Sequence, residues 1–291
     1  MLTCSSFLQD LRSRLKKFFA KFNRRKSITH DADQLGISSR KISRAALTVI
    51  EELTKNGHQA YLVGGGVRDL LLGGKPKDFD IGTSATPEQA KAIFKKSRIV
   101  GRRFRIVHVR FGREIIEVTT FRANQDNKES KNFKQSESGM LLRDNVYGSV
   151  EDDAMRRDFT VNALYYDAQK HQVIDYCDGI RDLEAGVLRM IGVPKERYSE
   201  DPVRMLRAAR FAAKLQFKID KDSAKPINDC RALLSDVASA RLFDECLKLF
   251  MNGYGADSFE QLHQLKLFDQ LDQWLFPNAS LYYFHDFRLL L

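Results

Sequence analysis

The stretch Tyr61–Thr83 limits what this chain can fold into more than any other. Tyr61–Val63 is short, apolar and β-prone, as a buried strand requires. Gly64, Gly65 and Gly66 then let the backbone turn sharply and approach a ligand closely. Val67–Leu72 carries good helix formers, so the glycines open a helix, which Gly73, Gly74 and Pro76 stop. A glycine turn at a helix start gathers free N–H groups and suits a phosphate. Asp78-Phe79-Asp80 begins a second extended run. Residues two apart on a strand share a face, so both carboxylates point one way and Phe79 packs the other. Like charges held this close call for protons or cations, and Mg²⁺ suits oxygen-only ligands beside a phosphate loop. A triple glycine or an Asp-x-Asp alone is common. Both in order within one strand–turn–helix–strand unit point to a nucleotide and metal site.

The 291 residues suggest two or more domains, and 43% hydrophobic residues suffice for a core. A net charge of +10 and a pI near 9.4 point to a polyanionic partner, nucleic acid before membrane. Cys4, Cys177, Cys230 and Cys246 are scattered without a C-x-x-C pair, which suits reduced thiols in a cytoplasmic protein without a zinc site. No run is apolar for long enough to give an integral membrane segment, and no secretory signal is visible.

Residues 1–38 form a basic N-terminal extension, expected to be poorly ordered. Ser38 or Ser39 is expected to cap a helix through Ile42, Ala46, Val49, Ile50 and Leu53, closed by Gly57. Thr86-Pro87-Glu88-Gln89 has capping-box spacing and starts a helix to about Lys96. Ile106–Phe111 and Glu114–Phe121 make a hairpin turned at Gly112-Arg113. Glu117 shares a face with Ile115, Thr119 and Phe121, as a surface residue or a third carboxylate beside Asp78 and Asp80. Asn124–Ser138 lacks apolar periodicity and is expected to be a mobile loop. Leu188–Ile191 is a candidate last strand, and the pattern from Asp201 onward is helical, with further helices over Arg241–Phe250 and Ser258–Leu265.

Four ordered motifs then carry a resemblance. They are Gly64-Gly65-Gly66-Val67-Arg68-Asp69, Asp78-Phe79-Asp80, Arg156-Arg157-Asp158-Phe159-Thr160-x-Asn162 and Glu200-Asp201-Pro202-x-Arg204-x-x-Arg207-x-x-Arg210-Phe211. Together they resemble the class II nucleotidyltransferases, which comprise the bacterial poly(A) polymerases and the CCA-adding tRNA nucleotidyltransferases. The segment Ile99–Val109, with Arg102 and Arg103 between Gly101 and Phe104, is similar to the poly(A) polymerase branch, as are Gly139–Asn145 and Arg241–Phe243.

The resemblance implies an α+β (mixed) fold. A nucleotidyltransferase head with a small mixed sheet spans 39–191, and a helical nucleotide- and RNA-binding region spans 192–291. Ser280–Leu291 departs from the family continuation, which implies a shortened C-terminus. The implied activity is template-independent addition of AMP from ATP to RNA 3′ ends, with RNA and ATP as partners. The alternatives are a CCA-adding enzyme and a truncated, inactive RNA-binding relative. Asp78 and Asp80 would hold two Mg²⁺ ions about 3.5–4 Å apart. Gly64, Gly65 and Arg68 would face the triphosphate, and Arg102 and Arg103 the RNA. Asp158 would be the third catalytic carboxylate, or hold ribose with Arg157 and Asn162, with Glu117 as the other candidate for the third position. Asp201 and Arg204 resemble the base-reading pair. Arg207 and Arg210 would reach the phosphates or brace their helix.

Overall fold

The computed structural model describes residues 27–101, 104–123, 133–135 and 141–275. Its first elements are β1 (Ile28–Asp31), α1 (Arg44–Lys55), β2 (Ala60–Val63), α2 (Gly65–Leu71), β3 (Asp80–Thr83), α3 (Pro87–Ile93), β4 (Ser97–Val100), β5 (Ile106–Phe111) and β6 (Glu114–Thr120). There follow β7 (Phe133–Gln135), β8 (Leu141–Asp144), α4 (Val150–Arg156), β9 (Leu164–Asp167), β10 (Gln172–Asp175), α5 (Gly179–Glu184) and β11 (Val187–Leu188). The chain continues through α6 (Pro194–Glu200), α7 (Val203–Leu215), β12 (Lys218–Ile219), α8 (Lys221–Ala224), α9 (Ile227–Cys230), α10 (Ser239–Phe250), α11 (Gly255–Gln264) and α12 (Phe268–Leu275).

Eight strands form one sheet in the order β1-β10-β9-β2-β3-β6-β5-β4, antiparallel throughout except for β3 beside β6. Its two faces are set by the two-residue period. On one face Leu62, Ile81, Val107, Val109, Ile116 and Val118 pack under α1, whose Ala46, Val49, Ile50 and Leu53 are buried at helical spacing. On the other, Val63 and Tyr165 pack with Val150 and Ala154 of α4, while Asp80 and Glu117 stay half-exposed. A second core gathers around α7, where Leu206, Ala208, Ala209 and Ala212 let neighbouring helices approach closely. The fold is therefore α+β, with a mixed-sheet head and a helical region. Among the described residues no helix is long and apolar enough to cross a membrane.

Several expected boundaries move. Ile28–Asp31, assigned to the extension, is an edge strand on β10, and Ala32 and Ile37 are fully buried, so the ordered head begins ahead of residue 39. The cap of α1 is Ser43, whose hydroxyl accepts the Ala46 N–H; Ser38 precedes only a short 3-10 turn. The Thr86–Gln89 capping box is formed, yet α3 stops at Ile93, because Ser97–Val100 is needed as a strand on β5. Phe133–Gln135, inside the expected loop, pairs with β8. The rest of that loop and residues 1–26 lie outside the described residues. The last head strand is only Val187–Leu188, with Met190 bridging to Phe159.

Gly179 opens α5 where no side chain fits: a Cβ there would lie 2.3 Å from the Thr160 carbonyl oxygen. Gly179→Ala should therefore destabilise the protein by about 1–3 kcal/mol, as over-packing does. Urea unfolding measures this, and a midpoint equal to wild type would show that the Thr160 turn yields freely.

Candidate active site

A cleft of about 340 Å³ opens between the sheet face and α7. The sheet contributes Asp80, Ile106, Glu117 and Thr119, the α4 end contributes Arg156, Arg157 and Asp158, and the helical region contributes Asp201, Arg204, Arg207 and Arg241. Arg105 and Arg122 complete a lining in which guanidinium groups outnumber carboxylates. The crowding is visible in the titration of these groups. Burial, then Arg122, Arg197 and Arg204, push Arg156 down to about 9, against the opposing pull of Glu200. Arg122 is likewise lowered, by burial and by Arg157 and Arg204, although Asp153 opposes this. A surplus of partly desolvated cations is a site built for an anion.

At one end of the cleft the charge reverses. Asp78 is exposed just ahead of the strand and outside the cleft lining, Phe79 is buried, and Asp80 is half-buried in the lining. Asp80 pairs in parallel register with Glu117. Burial, then Glu117, push the Asp80 carboxyl up to about 6; Arg157 opposes this and Asp78 adds to it. Among the described residues, no group of three His, Cys, Asp and Glu side chains could hold a metal ion.

Asp158 has a different environment. Arg207 donates to its Oδ2 from Nε (2.8 Å) and Nη2 (2.5 Å), while the Phe159 N–H (2.8 Å) and Asn162 Nδ2 (3.1 Å) donate to Oδ1. Burial opposes its charge, but these donors outweigh burial and hold the carboxyl well below the usual carboxylate range. A carboxylate so saturated is a poor base and has little capacity left for a metal. Asp158 is thus held between Arg207, Asn162 and the Phe159 N–H, and Glu117 is the carboxylate that stands beside Asp80 in the sheet.

Five further expected site residues lie outside the cleft lining. Arg68 is buried: it donates to Asn162 Oδ1 (2.6 Å) and to Asp69, and lies 5.1 Å from the centre of the Phe211 ring, away from the cleft lining. Asn162 is likewise buried, linking Arg68 to Asp158. Arg210 pairs with Glu245 at 2.5 Å and lies 4.4 Å from the centre of the Phe211 ring, contacts that brace its helix. Gly64 keeps a left-handed backbone (φ 67°), and its N–H donates to the Leu164 carbonyl at 3.2 Å, so it is unavailable to a phosphate. Its role is spatial: a Cβ at Gly64 would lie 3.0 Å from Arg157 Nη1. Gly65 sits beside it at the start of α2, outside the lining. Arg102 and Arg103 lie outside the described residues.

Arg157 faces the cleft while Asp153 Oδ2 (3.0 Å) and the Tyr165 hydroxyl (2.8 Å) hold it. At the far end Asp201 and Arg204 are both present. Arg241 grips both Asp201 oxygens at 2.6 and 2.7 Å, and Arg204 donates to Glu200 (3.0 Å) and to the Arg197 carbonyl (2.8 Å). Arg105, Arg122, Asp153, Arg156 and Arg241 were not singled out as site residues by the sequence. For Arg122 a signal existed: a lone cation directly after the apolar strand end that follows Thr119.

The comparisons agree with this geometry. The family described as "Poly A polymerase head domain" matches residues 60–189, and "Probable RNA and SrmB-binding site of polymerase A" matches residues 216–278. Poly(A) polymerase I of Haemophilus influenzae is 56% identical over 254 residues, covering 87% of this chain and 55% of that protein. The CCA-adding enzyme of Lactobacillus johnsonii is 38% identical over 209 residues, covering 72% of this chain and 50% of that one. The solved Bacillus stearothermophilus CCA-adding enzyme in complex with CTP superposes with a TM-score of 0.65 at 35% identity, covering 76% of this chain and 52% of that chain. The chain thus spans about half the length of the curated relatives it matches. With two family descriptions matched in order along most of its folded length, it belongs to the family of the poly(A) polymerases and CCA-adding tRNA nucleotidyltransferases.

Proposed function

We propose that this chain transfers AMP from ATP to the 3′ hydroxyl of RNA in the cytoplasm, without a template. The observation that carries the reading is the charge reversal in one cleft: Asp80 and Glu117 side by side at the end of an arginine-lined space. The higher identity to a poly(A) polymerase than to a CCA-adding enzyme favours adenylate as the product. Asp78 and Asp80 would hold Mg²⁺, with Glu117 alongside. Bound there, two such ions would neutralise charge on the attacking and leaving oxygens. Arg157 and Arg122 would hold the triphosphate, and with little covalent work to do the protein mainly aligns and neutralises. Arg207 keeps Asp158 fixed so that Arg157, the next residue along, keeps its aim. Asp201 and Arg204 would present complementary edges to the base, and Arg241 holds Asp201 in its orientation.

CTP addition to tRNA is the second reading, because a solved relative holds CTP on the same fold. Primer extension with each nucleotide offered separately, on tRNA and on generic RNA, decides between them.

Asp80→Asn should abolish transfer while stabilising the metal-free fold. The folded pKa of about 6 lies above the ordinary value of 3.8, so the charged carboxylate costs stability as the pH rises through that window. At pH 7.5 the variant should melt above wild type without Mg²⁺. Mg²⁺ should raise the wild-type melting temperature at pH 7.5, less so at pH 5, and hardly at all in the variant. A melting temperature indifferent to Mg²⁺ in the wild type would remove the metal assignment.

Arg204→Ala should loosen nucleotide choice. Losing a base-reading side chain corresponds to about 1–3 kcal/mol of discrimination, roughly 5- to 150-fold in relative kcat/KM. Competition of ATP against CTP, GTP and UTP measures it, and an unchanged preference would place base selection elsewhere.

A further inference from the structure

The pairing register of the sheet sets charged residues in rows across the cleft face. Asp80 pairs with Glu117, Glu117 with His108, and His108 with Arg98 on the edge strand β4. Two residues towards the nucleotide cleft, the next row is Thr119 and Ile106. Two residues the other way, Ile115 pairs with Arg110, and the Arg110 N–H donates to the Lys96 carbonyl at 2.9 Å, just ahead of β4. This second direction is open: Lys96, Arg98 and Arg110 are exposed, and Ile115 is 48% exposed. Among the described residues none of the three cations pairs with a carboxylate, and Arg110 is tied only to the Gly112 carbonyl.

Phosphoryl transfer places the attacking and leaving oxygens roughly in line. If the triphosphate fills the arginine-lined cleft on the Thr119 side of Asp80, the hydroxyl must arrive from the Ile115 side. We infer that the open face of β4, β5 and β6 is the track for the RNA strand, with Lys96, Arg98 and Arg110 on its last phosphates and Ile115 under a base or sugar. Neighbouring strands stand about 4.8 Å apart and residues about 3.3 Å apart along each. The three cations therefore lie within reach of the last phosphates of a strand whose 3′ hydroxyl is at Asp80. Charge fits this occupant, since a single-stranded polyanion needs no base-specific donor here, only cations and an apolar seat. The inference rests on the proposed reaction and adds the path of its second substrate.

The test is the salt dependence of binding of a short oligoribonucleotide, followed by fluorescence anisotropy, with primer-extension kinetics alongside. Replacing Lys96, Arg98 and Arg110 together by Gln should flatten the slope of log K against log salt by about 2, at ~0.7 for each phosphate of a single strand. KM for RNA should rise while KM for ATP stays within about twofold, and Lys at positions 98 and 110 should restore the slope. An unchanged slope would overturn the track. So would an equal rise in both KM values, or an equal flattening when the exposed Arg40, Arg44 and Lys170 are neutralised instead. If wild type transfers no AMP, the reaction proposal fails by itself; the binding slope still decides the track.

Discussion

The site depends on one half-buried contact, the pin between Asp158 and Arg207. Asp158 ends the segment that also carries Arg156 and Arg157; Arg207 stands in the middle of α7. Their two hydrogen bonds fasten the sheet-bearing head to the helical region at the point where the cleft opens. The pin is not isolated. Asn162 joins Asp158 to Arg68, and the guanidinium groups of Arg68, Arg207 and Arg210 all lie against the ring of Phe211. Three like charges around one ring are tolerable only because Asp69, Asp158 and Glu245 each take one. Breaking the pair from one side leaves a carboxylate that is largely desolvated and uncompensated, a cost that solvent reaching Arg207 keeps below the about 3–5 kcal/mol of a fully buried pair. Since the carboxyl is held below its ordinary value, the pin contributes fully above about pH 4 and is lost only as the pH falls further.

With Asp158 neutralised by this pin, the charge in the cleft divides cleanly. One end holds Asp80 beside Glu117, where burial and the neighbouring carboxylate push Asp80 up to about 6, and the body holds Arg122 and Arg156, both pushed down by burial and by neighbouring guanidinium groups. Each imbalance costs stability in the empty fold. Together they match a ligand that brings cations to one end and a polyphosphate to the other.

Much of this was legible in the sequence wherever the deciding interactions are local. The strand–turn–helix of Tyr61–Leu72, the Thr86–Gln89 capping box and the hairpin turned at Gly112 all rest on residues within a few positions of each other. The exposure alternation of Asp78, Phe79 and Asp80 follows from the strand period alone. What could not be read were partners set by the fold. Arg68 looked like a phosphate ligand because glycines flank it; Asn162, 94 residues away, and Phe211 turn it inward. Arg241 gave no sign of gripping Asp201, 40 residues earlier. Glu117 was open between a surface residue and a third carboxylate until the register placed it opposite Asp80. Asp158 sat in a catalytic-looking motif, and only Arg207, 49 residues on, shows that its charge is already taken.

The single parallel pair in the sheet explains why the cleft has two unlike sides. Two strands running the same way cannot be joined by a short turn, so β3 reaches β6 through a crossover. That crossover contains α3, β4 and β5, and it places β5 and then β4 outside β6 at the sheet edge. On the buried side of Asp80 the face is therefore roofed by α7 and the α4 end and lined with arginines held by partners. Beyond Glu117 no helix among the described residues covers the same face, and Lys96, Arg98 and Arg110 stay in solvent. The topology that brings Asp80 and Glu117 together thus also produces one enclosed and one open approach to them. A two-substrate transfer needs that asymmetry: a small substrate enclosed on one side, and a long one entering from the other.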